Sequence, residues 1–243
     1  MERTRETAVK EFVADDHRAA AVFEKYAIDY CCHGGTTLEA ACAGRGVRPE
    51  QILAELEQVG NPEEADGGSR VPEALDDLVD HIVERHHRFV RIAVPAINAH
   101  LDRLVVKHGS RHGELAVIRE EFHRVGDELD RHMRKEELVL FPYIKELVRV
   151  CRSGLSCERP TFGTIRNPIS MMEAEHRSAG SSFVSIREAS NGLVAPADGC
   201  TTYALTYREL DEFERDLHRH IHLENNILFP HAIQLEEEVL SRT

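Results

Sequence analysis

The sequence HIHLENNILFP at residues 220–230 has a near copy 88 positions earlier, HMRKEELVLFP at residues 132–142. In each copy, a histidine is followed by a glutamate four residues later and by a Phe-Pro pair nine and ten residues later. An internal repeat is strong evidence about architecture and is weighed before composition. Residues four apart lie on one face of a helix, so each copy presents an imidazole and a carboxylate together. The repeat therefore predicts two matching parts of one site.

Four long helical patterns follow one another in the larger, C-terminal part of the chain, at residues 72–107, 113–150, 167–190 and 201–241. The segments between them are rich in Gly, Pro and Ser, which is typical of loops. Helices of more than about twenty residues joined by short loops predict an up-down-up-down four-helix bundle. Three prolines fall inside these patterns, and we expect them to kink or locally end their helices: Pro95, Pro142 and Pro230.

The chain divides into three parts by pattern. The pattern of residues 1–59 predicts short amphipathic helices, the first at 14–26. Together these helices would form a small domain near the lower size limit for independent folding. Residues 60–72, GNPEEADGGSRVP, are polar and lack periodicity, as expected of a linker. Residues 73–243 hold the bundle. The expected fold class is all-α, with a small N-terminal helical domain followed by a four-helix bundle.

A vicinal cysteine pair, Cys31 and Cys32, lies in the turn DYCCHGGTTLE of the small domain. Thr36 and Glu39 have the spacing of a capping box, which predicts that a helix begins there. The dipole at a helix N-terminus lowers the pKa of a nearby thiol, so a functional thiol pair is one interpretation. Adjacent thiols that are merely tolerated beside a glycine turn are the alternative.

Composition excludes several classes of function. The formal net charge of −13 argues against binding to nucleic acid or to anionic membranes. No apolar stretch of about twenty residues or signal-peptide core is present, so we expect a cytoplasmic protein. Six irregularly spaced cysteines do not form a disulfide framework, whereas fifteen histidines are an unusually high number.

Loop midpoints place four histidines at one height in the bundle. Two residues of an antiparallel helical hairpin lie level when the turn falls midway between them in sequence. The midpoints of His87 with His132, of His132 with His176 and of His176 with His220 are 109.5, 154 and 198, and each falls in a predicted loop. One histidine from each helix is therefore predicted to lie in a single layer.

The glutamates of the repeat, Glu136 and Glu224, complete a predicted two-metal site. Each metal takes two of the histidines, both carboxylates bridge, and a solvent-derived bridge and an open position remain. Mixed nitrogen and oxygen ligands without thiolate suit iron or manganese, and bundle cores hold such sites, so we choose iron. A single HxxxE pattern would instead be typical of a solvated helix face, but two copies with two level partners favour metal.

Other candidates are weaker. His108 follows His87 by 21 residues, about 31 Å along a helix, and belongs at the turn. Glu128, one turn before His132, could orient that ring or relay protons. Glu175 is a weak choice, because it adjoins His176 and a neighbour in sequence points elsewhere on a helix. For each of the two, an ordinary exposed carboxylate is at least as good an interpretation. The remaining histidines of the bundle that we assign to the surface or to supporting positions are His86, His112, His123, His218, His222 and His231.

The segments HHRF, HMRKEELVLFP, MMEAEH and HIHLENNILFP resemble the haemerythrin-like domain of the iron–sulfur cluster repair di-iron (RIC) family. DYCCHGG is similar to the motif of that family's small N-terminal domain, so the resemblance covers nearly the whole chain. It implies a haemerythrin-like bundle, two oxygen-bridged non-haem iron ions on the same six ligands, and a role for the cysteine pair. A histidine matching His108 also belongs to the family pattern. This chain departs from that pattern by an inserted His33 and a longer loop at 151–166, which brings two extra cysteines.

The resemblance implies repair of iron–sulfur clusters damaged by oxidative or nitrosative stress. We expect the site to donate iron, with Cys31 and Cys32 guiding or receiving it or handling electrons. We also expect it to react with nitric oxide, and reduction of nitric oxide there would be an enzymatic activity. Partners would be damaged iron–sulfur proteins or cluster-assembly machinery, and a homodimer is left open. A haemerythrin-like oxygen or nitric oxide sensor without turnover is the alternative. A ferritin-like oxidase ranks last, because such sites have one histidine per metal.

Overall fold

The computed structural model describes residues 3–16, 18–31, 33–59, 71–72, 74–154 and 160–241. These residues form helices and connecting turns without a named strand, which confirms the predicted all-α class. None of the described helices is both long and apolar enough to cross a membrane. Most of the predicted linker, residues 60–70, lies outside the described residues.

Four short helices form the N-terminal part: α1 (Val9–Asp15), α2 (Ala19–Lys25), α3 (Leu38–Ala43) and α4 (Pro49–Val59). The prediction of one helix over residues 14–26 is wrong, because the chain breaks between α1 and α2. The Asp16 carboxylate accepts hydrogen bonds from the backbone N–H and the guanidinium of Arg18, at 3.0 and 2.8 Å. A short acidic side chain that binds the local backbone in this way competes with helix continuation.

Helix α3 begins one residue later than predicted. Its cap is Thr37, whose hydroxyl accepts from the backbone N–H of Ala40 at 3.3 Å, rather than Thr36. The carbonyl of Thr36 instead accepts from the backbone N–H of Val9 at 3.0 Å and so ties the turn to the start of α1. This bond fixes the C-terminal end of the cysteine turn to α1.

Four long helices, A to D, form the bundle, and three of them contain a π-helical turn. Helix A is α5 (Leu75–His81), π1 (Ile82–His87) and α6 (Arg88–His108), and helix B is α7 (Glu114–Lys135), π2 (Glu136–Leu140) and α8 (Phe141–Ser153). Helix C is α9 (Arg166–Ala189), and helix D is α10 (Thr201–Leu223), π3 (Glu224–Leu228) and α11 (Phe229–Ser241). These bounds lie within three residues of the predicted ones.

The prolines interrupt the helices less than predicted. Pro95 lies inside α6, which continues through it. Pro142 and Pro230 are each the second residue of an α-segment that directly follows a π turn. Proline lacks an N–H group and its ring collides with the carbonyl four residues earlier. A wider π turn before the proline accommodates both effects, so the chain changes pitch there and goes on as a helix.

Two apolar cores lie on either side of the predicted ligand layer. One contains the edge-to-face ring pair Phe122 and Phe213, with centroids 5.1 Å apart, together with buried residues of the N-terminal helices such as Phe23. The other surrounds α5, α8 and α11 and includes Ile144 and Phe229. Helices A to D pass from one core to the other, and the six predicted ligand side chains fall between the two.

Helices A and B approach each other closely at Gly126 on α7. A Cβ atom built there would lie 2.6 Å from Val94 Cγ1 on α6, much closer than van der Waals contact. Valine is branched at Cβ and has few alternative rotamers in a helix, so Val94 has little freedom to move away. Glycine at position 126 therefore sets the spacing between these helices.

We expect Gly126→Ala to lower the free energy of unfolding by about 1–2 kcal/mol through this overlap. In a Val94→Ala background the overlap is gone, and the same substitution should raise stability by up to about 1 kcal/mol because alanine favours helix. Urea denaturation of the four proteins of this double-mutant cycle measures both values. Equal effects of Gly126→Ala in the two backgrounds would show that Val94 does not limit the helix spacing.

Candidate metal centre

Six buried side chains converge in the layer between the two cores and form two overlapping clusters. We call His87, Glu136, His220 and Glu224 cluster 1, and His132, Glu136, His176 and Glu224 cluster 2. Within each cluster, one ligand atom from every residue lies within 4.8 Å of the others. Both carboxylates belong to both clusters. The structure therefore brings together all six side chains that the sequence singled out, with the glutamates between two groups of two histidines.

The π turns position three of these six side chains. His87 is the last residue of π1, and Glu136 and Glu224 are the first residues of π2 and π3. A π turn widens a helix locally and redirects the side chains beside it, which is why such turns are common at functional sites. His132 and His220 lie one α-turn before the two glutamates and accompany them into the layer.

Hydrogen bonds to the outer ring nitrogens determine the tautomers in cluster 2. His132 Nδ1 lies 2.9 Å from a Glu175 oxygen, and His176 Nδ1 lies 2.9 Å from Asn225 Oδ1. Both partners are acceptors, so each Nδ1 carries the hydrogen and each neutral ring has a bare Nε2. These two Nε2 atoms lie 3.1 Å apart. In the metal-free layer a proton on His132 joins the two nitrogens, and a cation bound to both would take the place of that proton.

Cluster 1 has the same inward-facing acceptors. His87 Nδ1 donates to Glu137 at 2.6 Å, which leaves Nε2 bare, and that Nε2 lies 3.3 Å from Glu136 Oε2. Among the described residues, His87 Nε2 and both Glu136 oxygens have no hydrogen-bond donor. Buried acceptors without a donor are costly. The arrangement fits a cation in each cluster, with two imidazole nitrogens per cation and shared carboxylate oxygens.

In the metal-free layer, protons on the histidines take the place of cations and balance the negative charge of the two carboxylates. Burial opposes ionisation of both carboxylates, yet the neighbouring histidines hold the pKa of Glu136 below its ordinary value and that of Glu224 well below it. Burial also lowers the pKa of His132, but Glu136 and Glu175 outweigh it and raise that pKa to about 10. A cation that binds to these nitrogens displaces protons, so binding weakens as the pH falls.

The acceptor that orients His132 is Glu175 on helix C. A hydrogen bond from His132, followed by one from Lys135, lowers the pKa of Glu175 to about 2 although partial burial opposes this. Glu128, to which we assigned a role beside His132, instead accepts from the Ser178 hydroxyl at 3.1 Å. The sequence did not favour Glu175, because a residue next to His176 points to a different face of helix C. In the structure that face meets helix B, where His132 lies.

Two further supporting residues were not found from the sequence. Glu137 holds His87, and Asn225 holds His176. Each directly follows a glutamate that belongs to both clusters, one in each copy of the repeat. This shared position was a usable signal, since metal-binding histidines usually donate their second N–H to an acceptor.

The other histidines take the outlying positions that we expected. His108 lies at the opposite end of the bundle, beside Cys200, and is not part of either cluster. His86 stacks on His220 with ring centroids 5.5 Å apart and bonds to Asp216 at 3.0 Å. The imidazole of His86 therefore packs against the layer from outside.

The cysteine turn lies against helix D close to the layer. Cys31 is buried and its thiol donates to Asp29 at 3.2 Å. The Cys31 carbonyl accepts from the side chain of Asn226 at 3.4 Å, and Asn226 belongs to π3, the turn that begins with Glu224. Cys32 and Cys157 lie outside the described residues.

Comparisons with known proteins agree with this geometry. Residues 77–232 match the Hemerythrin HHE cation binding domain, and residues 5–60 match a domain of unknown function, DUF542. The chain is 34% identical over 229 residues to the iron-sulfur cluster repair protein YtfE of Enterobacter sp. (strain 638), covering 94% of this chain and 97% of that relative. Proteins of the same name from Citrobacter koseri and Escherichia coli O17:K52:H18 are each 35% identical over 217 residues, covering 89% of this chain and 91% of the relative.

We expect Glu136→Ala and Glu224→Ala each to remove metal from both clusters, because each carboxylate is shared by both. Elemental analysis with Mössbauer spectroscopy of the iron-loaded protein should give about two coupled irons per chain for wild type, as the two clusters predict. Both variants should lose them, while Glu173→Ala, at a half-buried position of helix C outside both clusters, should keep them. Retention of both irons in either bridge variant, or zinc alone in wild type, would contradict two iron sites with shared carboxylates.

Glu137→Gln should weaken binding selectively in cluster 1, since an amide holds the His87 ring less strongly than a carboxylate. Loss of such a supporting acceptor typically lowers metal affinity about 10–100-fold. Competition with a metal chelator, followed by absorption spectroscopy, would show one site emptying earlier than the other. Simultaneous loss of both metals at the wild-type chelator concentration would argue against a separate effect on cluster 1.

Proposed function

Because the chain belongs to the iron-sulfur cluster repair family with a haemerythrin HHE cation-binding domain, we propose that it repairs damaged iron–sulfur clusters by supplying iron. The observation that carries this proposal is the pair of overlapping buried clusters that share two carboxylates. Its relatives, aligned over nearly their whole length, are named as repair proteins. Oxidative or nitrosative stress would produce the damaged clusters that it acts on.

The donor set favours iron as the bound metal. Four imidazole nitrogens and two carboxylates, without a thiolate in either cluster, suit iron or manganese, and we choose iron. Iron in such a site supplies an open coordination position and a reversible change of oxidation state. Glu137, Glu175 and Asn225 fix the orientation of three histidine rings that would hold the ions. The two apolar cores exclude bulk water from above and below.

Iron that is to be delivered must be able to leave, and the layer supports a stable iron-free form. The histidines and carboxylates form buried ion pairs when protons replace the metals, such as His132 with Glu136 at 3.3 Å and His220 with Glu224 at 2.9 Å. The carboxylates would then not remain as unpaired buried charges, which are strongly destabilising. This supports a site that stores iron and releases it as cargo, in contrast to one that holds iron permanently.

The cysteine turn is the proposed exit for iron. Its backbone touches π3 through Asn226, and its Tyr30 ring packs edge-on against His222 with centroids 5.7 Å apart. Both contact residues lie within two positions of a proposed ligand, Glu224 or His220. We propose that Cys31 and Cys32 receive iron that leaves the layer, because thiolates are good ligands for iron in transit to a cluster.

Iron transfer can be tested directly with the full chain loaded with ⁵⁷Fe. The acceptor is a dehydratase whose [4Fe–4S] cluster has been damaged by nitric oxide or peroxide, and the readouts are its regained activity and the ⁵⁷Fe in its cluster. Wild type should restore both. The Cys31→Ser/Cys32→Ser variant should be about tenfold slower or worse, since it lacks the thiolates. Cys151→Ser, a half-exposed cysteine of α8, is the matched control and should act as wild type.

The possible outcomes of this experiment distinguish iron donation, the role of the thiols, a binding or sensing function and nitric oxide reduction. If the double variant restores clusters as fast as wild type, the thiol role is wrong while iron donation stands. If wild type leaves no ⁵⁷Fe in the acceptor but binds oxygen or nitric oxide reversibly, the chain is a binding or sensing module instead. Consumption of nitric oxide over many turnovers would identify reduction at the site as an enzymatic activity.

A further inference from the structure

A second group of reactive side chains lies at the opposite end of the bundle from the metal layer. It is formed by the end of α6, the start of α10 and the turn between helices A and B. His108 follows His87 by 21 residues, which corresponds to about 31 Å of helix. The proposed iron chemistry uses none of these side chains.

The group contains a thiol in contact with an imidazole. His108 Nε2 lies 3.3 Å from Cys200 Sγ. The ring of His108 is itself held edge-on by two neighbours, with centroids 6.2 Å from His112 and 5.9 Å from Tyr203. A cysteine with a fixed imidazole within hydrogen-bonding distance is the arrangement in which a base accepts the thiol proton and activates sulfur as a nucleophile.

The backbone around Cys200 also favours a thiolate. Cys200 is the N-cap residue of α10, a helix of 23 residues. The backbone N–H groups of Tyr203 and Thr202 at this helix start, with Lys107 nearby, lower the pKa of the thiol, and slight burial opposes them. Positive charge and free N–H groups at a helix start stabilise an anion there.

The acidic side chains of this group are already engaged by other partners. His112 bonds to Glu114 at 3.0 Å and to Asp198 at 3.1 Å, and Tyr203 donates to Glu114 at 3.1 Å. These contacts raise the pKa of His112 and lower the pKa of each of the two carboxyls. The carboxylates are therefore paired with His112 and Tyr203, and the imidazole of His108 faces the thiol.

Cys200 differs from the other described cysteines in its surroundings. Cys42 is fully buried, and burial raises the pKa of its thiol. Cys31 is 4% exposed and its thiol donates to the carboxylate of Asp29. Cys151 is half-buried like Cys200 but lies near the C-terminal end of α8 and not at a helix start. Accessibility, the imidazole and the helix start coincide at Cys200.

We propose that Cys200 and His108 form a peroxide-reactive thiol site, separate from the metal layer. His108 takes the thiol proton, and the sulfur attacks one oxygen of hydrogen peroxide. The S–O bond forms as the O–O bond breaks, and the departing hydroxide takes the proton back from His108 to give water. Sulfur is oxidised by two electrons to the sulfenic acid and the peroxide is reduced. Each step balances without another reagent.

The full-length protein is treated with hydrogen peroxide and the sulfenic-acid trap dimedone, and the labelling of each cysteine is followed by peptide mass spectrometry. At pH 7, Cys200 should be labelled about tenfold faster than Cys151, because its thiol contacts an imidazole and its pKa is held below the ordinary value. Iodoacetamide rates measured against pH should show an inflection for Cys200 below the ordinary value of about 8.5.

His108→Gln should slow the labelling of Cys200 about tenfold and move its inflection to higher pH, because the base is removed. His100→Gln is the matched control, since His100 lies on the same helix but bonds to Glu209. It should leave Cys200 unchanged. Equal labelling of Cys200 and Cys151 in wild type, or an unchanged rate and inflection in His108→Gln, would overturn the proposal. If His108→Gln does not keep its helical circular dichroism, the comparison within wild type decides.

Discussion

Two fully buried carboxylates, Glu136 and Glu224, are the constraint on which the rest of the bundle depends. A carboxylate in an apolar interior is stable only when positive charge and hydrogen-bond donors surround it. Four histidines from four helices provide that surrounding, and outer acceptors fix the direction of three of the rings. The positions of the loops between the helices bring these side chains to one height. The layer is thus a structural requirement of the fold as well as its chemical centre.

Helix D links the two parts of the chain. Its inner face contributes His220 and Glu224 to the layer, while its outer face contacts the N-terminal helices. Glu24 on α2 lies 4.0 and 3.9 Å from the guanidinium groups of Arg215 and Arg219. The Tyr30 ring packs against helix D three residues beyond Arg219, at His222. A single helix therefore determines where the cysteine turn lies relative to the metal ligands.

The main features of the bundle could be predicted because each long helix is indicated by the hydrophobic pattern of many residues together. Hydrophobic periodicity determines the four helices to within a few residues, and hairpin symmetry then fixes which histidines are level. The start of α3 and the break at Asp16 could not be placed as well, because each depends on which of two neighbouring side chains binds a single backbone N–H group. Periodicity does not distinguish Thr36 from Thr37.

The supporting residues and the position of the N-terminal part required the structure for a different reason. Glu175 acts across a helix interface, and its partner is 43 residues away in sequence. The contact between Asn226 and the Cys31 carbonyl spans 195 residues. A sequence pattern shows which face of a helix is buried, but it does not show what that face meets. Contacts between distant elements are determined by the packing of the whole chain.

The π turns make the site depend on the number of residues in the segment that passes through the layer. Inward-facing positions on helix D alternate in steps of four and three up to the layer, at Tyr203, Tyr207, Leu210, Glu214, Leu217, Ile221 and Glu224. After it they advance by four each time, at Leu228, Ala232 and Glu236. The π turn therefore winds one surplus residue into the helix. With one residue fewer, everything after Glu224 would rotate by about 100° and face away from its core. Both copies of the repeat keep the same ten-residue interval from histidine to proline. The geometry of the site therefore depends on this number of residues as well as on the distances between its atoms.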